Sequence, residues 1–497
     1  MIPIFEALQA WLQVDAAWVW VLLAVSSLIP CLIAFLAAQA IAGASTYVER
    51  KVAADIQRRV GPNQCNPSLF LGVFAREAAE RGKSPKADFG GKVMGALLGA
   101  ALPLIDLLDK IGSRWVPGLL IFLADGIKLL MKESIVPASA DKPLFKIAPV
   151  IVLASAFGAL AALPYSSWFY IADFNIGIFF VVAITSLETV GILMAGWASN
   201  NKWALLGGMR SAAQIVSYEI PTGLAVLTAI ILAGTMSLQG MVYGQIGVDN
   251  VHQGWFWQWS LFSSPFALIL APAYFLAALA ECNRTPFDIP EAESELVAGY
   301  HTEYTGMRFA IFFMAEYAMM CVLSALAVAI FLGGWSTGIG PLENLMMQYN
   351  IGDSMPGAVA GTTLLATHPV YYWWAGIVHF VAFALKSYGL VFIMMWIRWT
   401  LPRFRVDQMM SLCWTKLIPI GLFCLNGVAI WTLLRPYAAQ RLGGWENYHN
   451  LVGWASLVVA VALIAGVVKF FLTPLTAEEQ ERRKLIAVAD FNSGVRV

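Results

Sequence analysis

"SPFALILAPAYFLAALAECNRTPFDIPEAESELVAGYHTEY", residues 264–304, joins two environments that do not mix. Its first 17 residues carry no charge. The remainder sets six carboxylates (Glu281, Asp288, Glu291, Glu293, Glu295, Glu303) against a single arginine, Arg284. An apolar run of this length approaches the ~20 residues that a helix needs to cross hydrocarbon. Crowded carboxylates repel one another and are costly beside a bilayer. The stretch therefore reads as a membrane helix opening into a polar loop.

The whole chain fits that reading. Of 497 residues, 59% are hydrophobic and 12% charged, with a mean hydropathy of +0.70. Soluble domains carry roughly 25% charged residues, so composition alone excludes one. The expected fold class is an all-α polytopic membrane protein. Zero net charge says little, because in a membrane protein the distribution of charge outweighs its sum. Six cysteines form no CxxC pair, and five histidines show no metal or haem spacing. No glycine-rich nucleotide fingerprint and no Walker lysine is present. No flavin, haem, metal or iron–sulfur cluster is expected on this chain, no nucleic-acid partner, and no catalytic group in this chain alone.

About nine spans are predicted, at 17–43, 147–165, 176–198, 214–237, 264–281, 308–333, 371–397, 414–434 and 451–472. The first has no basic residue before it, so it reads as a retained helix, not as a signal peptide. Segments 166–175, 238–263 and 334–370 hold no lysine or arginine, whereas 44–146, 199–213, 282–308 and 398–416 all do. Positive residues favour the cytoplasmic side, which places the N-terminus outside and the acidic loop 282–307 inside. Two arginines in "RPYAAQR" break the rule after the eighth span. The chain is read as one membrane domain over 1–497, with an additional C-terminal helix and tail at 451–497.

Segment 44–146 is too long for a turn. "YVERKVAADIQRRVGPN" spaces Val52, Ile56 and Val60 helically among basic residues, as an amphipathic interfacial helix does. "LLIFLADGIKLLMKE" places Asp125, Lys128 and Lys132 on one face of a second such helix. Snorkelling surface helices account for both equally well. No internal repeat stands out.

Glu188, Glu219, Glu316 and Lys386 lie within predicted spans, and Glu281 closes one. Each costs about 2.5–3.5 kcal/mol at a helix centre on insertion scales, so such groups mark ion or proton pathways. The plainer alternative for Glu316 and Lys386 is a buried ion pair between helices. Pro221, two residues after Glu219, frees backbone groups and is expected to bend its helix. In the acidic loop, Phe287, Ile289, Leu296, Val297 and Tyr300 between prolines suggest packing and not a floating tail. Crowded carboxylates in low dielectric titrate as a coupled group.

Five motifs together resemble the quinone-tunnel membrane subunit of respiratory complex I, the proton-pumping NADH:quinone oxidoreductase. They are "ERKVAADIQRRVGPN", "ADGIKLLMKE", "SLETVGILMAGWASNNKWALLGGMRSAAQIVSYEIP", "NRTPFDIPEAESELVAGYHTEYTGMRFAIFFMAEY" and "MWIRWTLPRFRVDQMM". The resemblance implies a subunit of the bacterial inner membrane that joins the membrane arm to the iron–sulfur peripheral arm. Its partners would be those subunits, the bilayer, and quinone as substrate. The resemblance puts Arg50, Arg58, Arg59, Asp125, Arg284 and Phe287 at the quinone tunnel, framed by the first, the amphipathic and the sixth helices. It puts Glu188, Glu219, Glu281, Asp288, Glu291, Glu293, Glu295 and Glu303 in a proton-coupling chain. Arg284 and Arg308 are expected to hold part of the acidic cluster ionised by pairing.

The sequence departs from that family in places. Residues 65–116 form an insert where the family is short, Asp55 stands in the amphipathic helix, and Ile121 and Phe122 stand where Gln-Pro is common. A membrane anchor of an energy-converting hydrogenase and a secondary transporter are the competing classes. The acidic motif favours the quinone enzyme, and no inverted repeat supports the transporter.

Overall fold

The structure, a computed structural model, describes residues 43–62, 121–246, 255–289, 297–348, 370–371, 374–441 and 451–462. Helices dominate. α1 covers 43–56 and α2 covers Ile121–Met131, two short elements that carry charged residues. The membrane helices follow as α3 (Lys142–Leu160), α4 (Gly177–Ala198, with an irregular step at Ser186) and α5 (Lys202–Ala233). A short α6 (Leu238–Ile246) precedes α7 (Pro265–Glu281) and α8 (Met307–Phe331). Then come α9 (Gly340–Met346), α10 (Ala375–Thr400) and α11. α11 starts at Val406–Leu412, passes through a widened π turn at Cys413–Leu417 and continues over Ile418–Arg441. α12 is Leu451–Ala462. Among the described residues, the only ladder pairs Met347–Gln348 with Val370–Tyr371, antiparallel.

Among the described residues, six helices (α3, α4, α5, α8, α10 and α11) are long and apolar enough to cross a membrane; α7 and α12 are shorter apolar helices. Eight of the nine predicted spans thus fall on helices, while the first, at 17–43, lies outside the described residues except for its last position. So do the insert 65–116 and all of the predicted last span beyond 462.

Helix ends differ from prediction in an instructive way. The expected basic loop 199–213 is almost entirely helix, because α5 begins at Lys202, where the Asn201 side chain caps the Trp203 N–H at 3.0 Å. Likewise most of 398–416 is helical, leaving only a short link between Thr400 and Val406. Hydropathy reports the thickness of hydrocarbon, whereas a helix continues through charged residues until a cap or break stops it.

α8 is the central post. Its apolar window is 78% buried, against 22% for α10, whose outward Leu385 and Phe392 remain exposed as a lipid-facing surface requires. α8 packs on α3, α7 and α10, and α5 packs on α4, α7 and α11. One buried cluster gathers Tyr218, Tyr274, Phe287 and Trp335; a second gathers Phe145, Ile192, Tyr304 and Phe312. Pro221 lies inside α5 and cannot donate to the carbonyl four residues back, that of Ser217. The Cys413 thiol, from the π turn of α11, donates to that carbonyl at 3.1 Å. The π turn of α11 thus supplies a donor that α5 lacks at Pro221.

Candidate functional site

A cavity of about 1020 Å³ opens between α1, α2 and α8. Glu49, Arg50 and Arg59 enter its wall from the first helix and its exit, Asp125 from α2, and Phe309, Phe313, Met314 and Tyr317 from α8. Its size is at the upper end of what small-molecule sites usually show, ~300–1,000 Å³. Its lining suits an amphipathic ligand: aromatic and aliphatic along α8, charged along α1 and α2. Arg50 and Asp125 meet across it at 2.5 Å. Both are partly exposed, so this pair contributes little stability, ~0–1 kcal/mol.

Glu49 sits where the cavity wall meets the protein interior. It is 5% exposed and has three partners. The Tyr317 hydroxyl donates to it at 2.5 Å, Arg398 pairs with it in direct contact, and Arg284 approaches it at 3.6 Å. Burial alone raises a carboxyl pKa. Here the attraction of Arg284 and Arg398, with the Tyr317 hydrogen bond, outweighs burial and holds Glu49 below its ordinary value.

Arg284 faces two ways. Its Nη1 points to Glu49, its Nε lies 3.2 Å from Glu316 on α8, and its guanidinium covers the Tyr317 ring at 4.3 Å. From Glu316 the line continues inward. Glu188 is within Coulombic range of Glu316 and of Glu281, and Glu281 is within range of Glu219. Thr222 donates to Glu281 at 3.5 Å. Glu188, Glu281 and Glu316 are buried, and Glu219 is half-buried. Five carboxylates and one arginine, from Glu49 at the cavity wall through Arg284 and Glu316 to Glu188, Glu281 and Glu219, therefore lie in sequence from the cavity into the bundle.

The plainer alternative, a Glu316–Lys386 ion pair, is not formed. Glu316 faces Arg284, while the Lys386 ammonium turns to backbone carbonyls at the far end of α8. The described parts of the acidic loop, 282–289 and 297–307, are held as packed chain. Phe287 and Ile289 are buried, and the Phe287 ring lies between those of Tyr218 and Phe404. Gln214 on α5 donates to the carbonyls of Ala280 and Phe287 at 2.8 and 2.7 Å, anchoring both ends of the turn after α7. Asp288 meets Arg403 at 3.3 Å, and Glu303 accepts from Asn201 at 2.7 Å. His301 is enclosed by Phe309, Phe312 and Phe313, and burial pushes it down to about 3. It stays neutral, so the loop's counter-charge comes from arginines.

Of the residues expected at the tunnel, Arg50, Arg59 and Asp125 line the cavity. Arg284 stands one contact behind it, through Glu49 and Tyr317. Phe287 is a core residue away from the cavity lining, because two aromatic neighbours and two backbone bonds draw it inward. Arg58, with φ of 53°, turns the chain out of α1 and is exposed. Arg308 lies over the Phe145 ring at 5.7 Å. Glu291, Glu293 and Glu295 lie outside the described residues. Sequence reasoning does not place Glu49, Tyr317, Arg398 and Arg403 in the site, although Glu49, Arg398 and Arg403 stand inside the quoted motifs and Tyr317 closes one.

A family model described as NADH dehydrogenase matches residues 108–429. A relative in Anaeromyxobacter dehalogenans, named as the H subunit of NADH-quinone oxidoreductase, is 41% identical over 385 residues, covering 77% of this chain and 83% of its own. The proteins of that name in Chlorobaculum parvum and in Geobacillus sp. are 48% and 43% identical, covering 84% of each relative and 65% and 67% of this chain. The chain belongs to the H-subunit family of NADH-quinone oxidoreductase. It is a multi-pass membrane subunit of that oxidoreductase complex, and other subunits of the complex are its partners. For a protein of this family, an arginine-bridged line from a cavity to buried carboxylates is the feature that requires a functional account.

Proposed function

We propose that the cavity between α1, α2 and α8 admits quinone, and that the line Glu49–Arg284–Glu316 transmits its reduction to the buried carboxylates as proton uptake and release. The observation that carries this reading is Arg284, which reaches Glu49 at the cavity wall and Glu316 in the bundle with one guanidinium. Reduction of a quinone consumes two protons per two electrons. Drawing protons from groups beside the cavity changes the charge that Glu49 and Tyr317 present to Arg284. Arg284 is then drawn toward Glu49 and Tyr317 and away from Glu316, and Glu316, short of its counter-charge, and the coupled carboxylates Glu188, Glu281 and Glu219 take up protons in turn. Asp288, Glu303 and the loop carboxylates Glu291, Glu293 and Glu295 supply protons from the cytoplasmic side.

In this account the N-terminus and the loops 166–175 and 238–263 lie outside, and the interfacial segment 44–146 lies inside, where the iron–sulfur subunits dock. Quinone is substrate, and the electron carriers reside on partner subunits. A hydrogenase anchor needs no quinone cavity, so the cavity favours the quinone enzyme.

The test is Glu316→Gln in the assembled complex, reconstituted in proteoliposomes. Protons moved per quinone reduced are expected to fall well below wild type, with electron transfer to a short-chain quinone retained in part. Unchanged stoichiometry and rate would refute the line.

A further inference from the structure

The other end of α8 holds a charged group that the carboxylate line does not use. α8 ends at Phe331 and the chain turns through Gly333, Gly334 and Gly338, all at positive φ. A helix C-terminus leaves carbonyls without partners and carries partial negative charge. Lys386, reaching up from the middle of α10, gives its ammonium to three of the carbonyls in this turn: Leu332 at 2.7 Å, Gly334 at 3.1 Å and Ser336 at 2.6 Å. Those three contacts use all three ammonium donors. The Trp259 ring covers the remaining side, 4.0 Å from Nζ. Side chains cannot be added where the cage closes: a Cβ on Gly333 would lie 2.3 Å from the Trp259 Nε1.

The surroundings brace this cage. Gln245 accepts from the backbone N–H groups of Gly333 and Ser260. Glu343 accepts from Thr337 through both its N–H and its hydroxyl, and meets buried His379 at 3.3 Å. His379 in turn contacts Ser167 at 2.9 Å. Three interhelical loops and the start of α10 thus converge on one plug. Between Glu316 and the cage run the last 15 residues of α8, about 22 Å along its axis. That length is apolar apart from Tyr317, Cys321 and Ser324.

We propose that Lys386 is a tethered cation that seals this end of the bundle against protons and small cations. Three convergent carbonyls at a negative helix end would otherwise attract a free cation toward the apolar core. A covalently held ammonium fills that cage and cannot move on, and its charge repels any ion that follows. Electrostatic barriers of this kind exclude ions from other membrane pathways. The inference rests on the proposed proton role of the carboxylate line, which would be short-circuited by a second opening.

The experiment measures passive proton flux in proteoliposomes holding the complex with no electron donor, under an imposed diffusion potential. Lys386→Met is expected to raise the flux severalfold over wild type, with quinone reduction retained. Methylammonium is expected to suppress that excess, and choline, too large for the cage, is not. Wild-type flux in Lys386→Met would overturn the proposal. Should that variant fail to assemble, Trp259→Leu removes the lid alone, and a smaller rise is expected; no rise would overturn the proposal equally. Because no electrons flow in this assay, its failure is distinct from a failure of Glu316→Gln to uncouple pumping.

Discussion

Glu49 concentrates the chemistry of the site in one carboxylate. Its three partners come from α8, the loop after α7, and α10, so it ties the interfacial helix to the bundle. Glu49→Gln leaves Arg284 and Arg398 short of a counter-charge. Removing one partner from a buried charged cluster costs about 3–5 kcal/mol, and a clear fall in the thermal midpoint of the purified complex is expected. The pH dependence has a defined sign. Because the folded-state pKa of Glu49 is lowered, its contribution is complete above the ordinary value of 4.5 and is lost as pH falls through the lowered value. The difference in stability between wild type and Glu49→Gln should therefore be constant above pH ~5 and shrink in acid. Gln214→Leu keeps volume but strands the carbonyls of Ala280 and Phe287, at a cost of about 1–3 kcal/mol each where no water reaches them. Faster hydrogen exchange in 281–289 is the expected readout, and unchanged exchange there would remove Gln214 from the account.

At the scale of elements, hydrophobic runs locate the helices because the bilayer demands apolar length, and that signal is local. What they cannot locate are the helix ends, set by Asn201 as a cap and by charged turns that remain helical. Nor can they show that the carbonyl freed by Pro221 is met by Cys413, since that pairing joins residues 196 positions apart. Close helix contacts are equally silent. Gly207 on α5 lies against the loop backbone, and a Cβ there would fall 2.6 Å from the Gly299 Cα. Gly207→Ala must therefore push the acidic loop off α5, with a cost of about 1–3 kcal/mol typical of overpacking. Reduced assembly of the complex is expected. Met314→Trp, by contrast, adds volume into the cavity lined by α8. It should raise KM for long-chain quinone more than for a short-chain analogue, with assembly intact; equal effects on both would place the quinone elsewhere.

Across the whole molecule, the ionisable residues are legible in the sequence but their pairing is not. Glu188, Glu219 and Glu281 stand out because charges in apolar runs are costly, and the structure places Glu281 within electrostatic range of each of the other two. Glu316 is equally conspicuous, yet the partner that sequence offers it is Lys386, the basic residue deepest within a predicted span. The real partner, Arg284, belongs to a loop folded back into the bundle by Phe287 and Gln214. Burial of a loop arginine leaves no mark in a hydropathy profile. Glu49 is hidden for the opposite reason, since it sits among basic neighbours and only tertiary contact reveals its burial. The central claim is that reaction at the cavity changes the protonation of the buried carboxylates through Arg284. Infrared difference spectroscopy of the complex, recorded on reducing the bound quinone, follows protonated carboxyl groups directly. Wild type should show a carboxyl C=O band that shifts on reduction, and Glu188→Gln should lose part of it. Glu49→Gln should diminish the remainder while quinone is still reduced. An unaltered band in both variants would contradict the account.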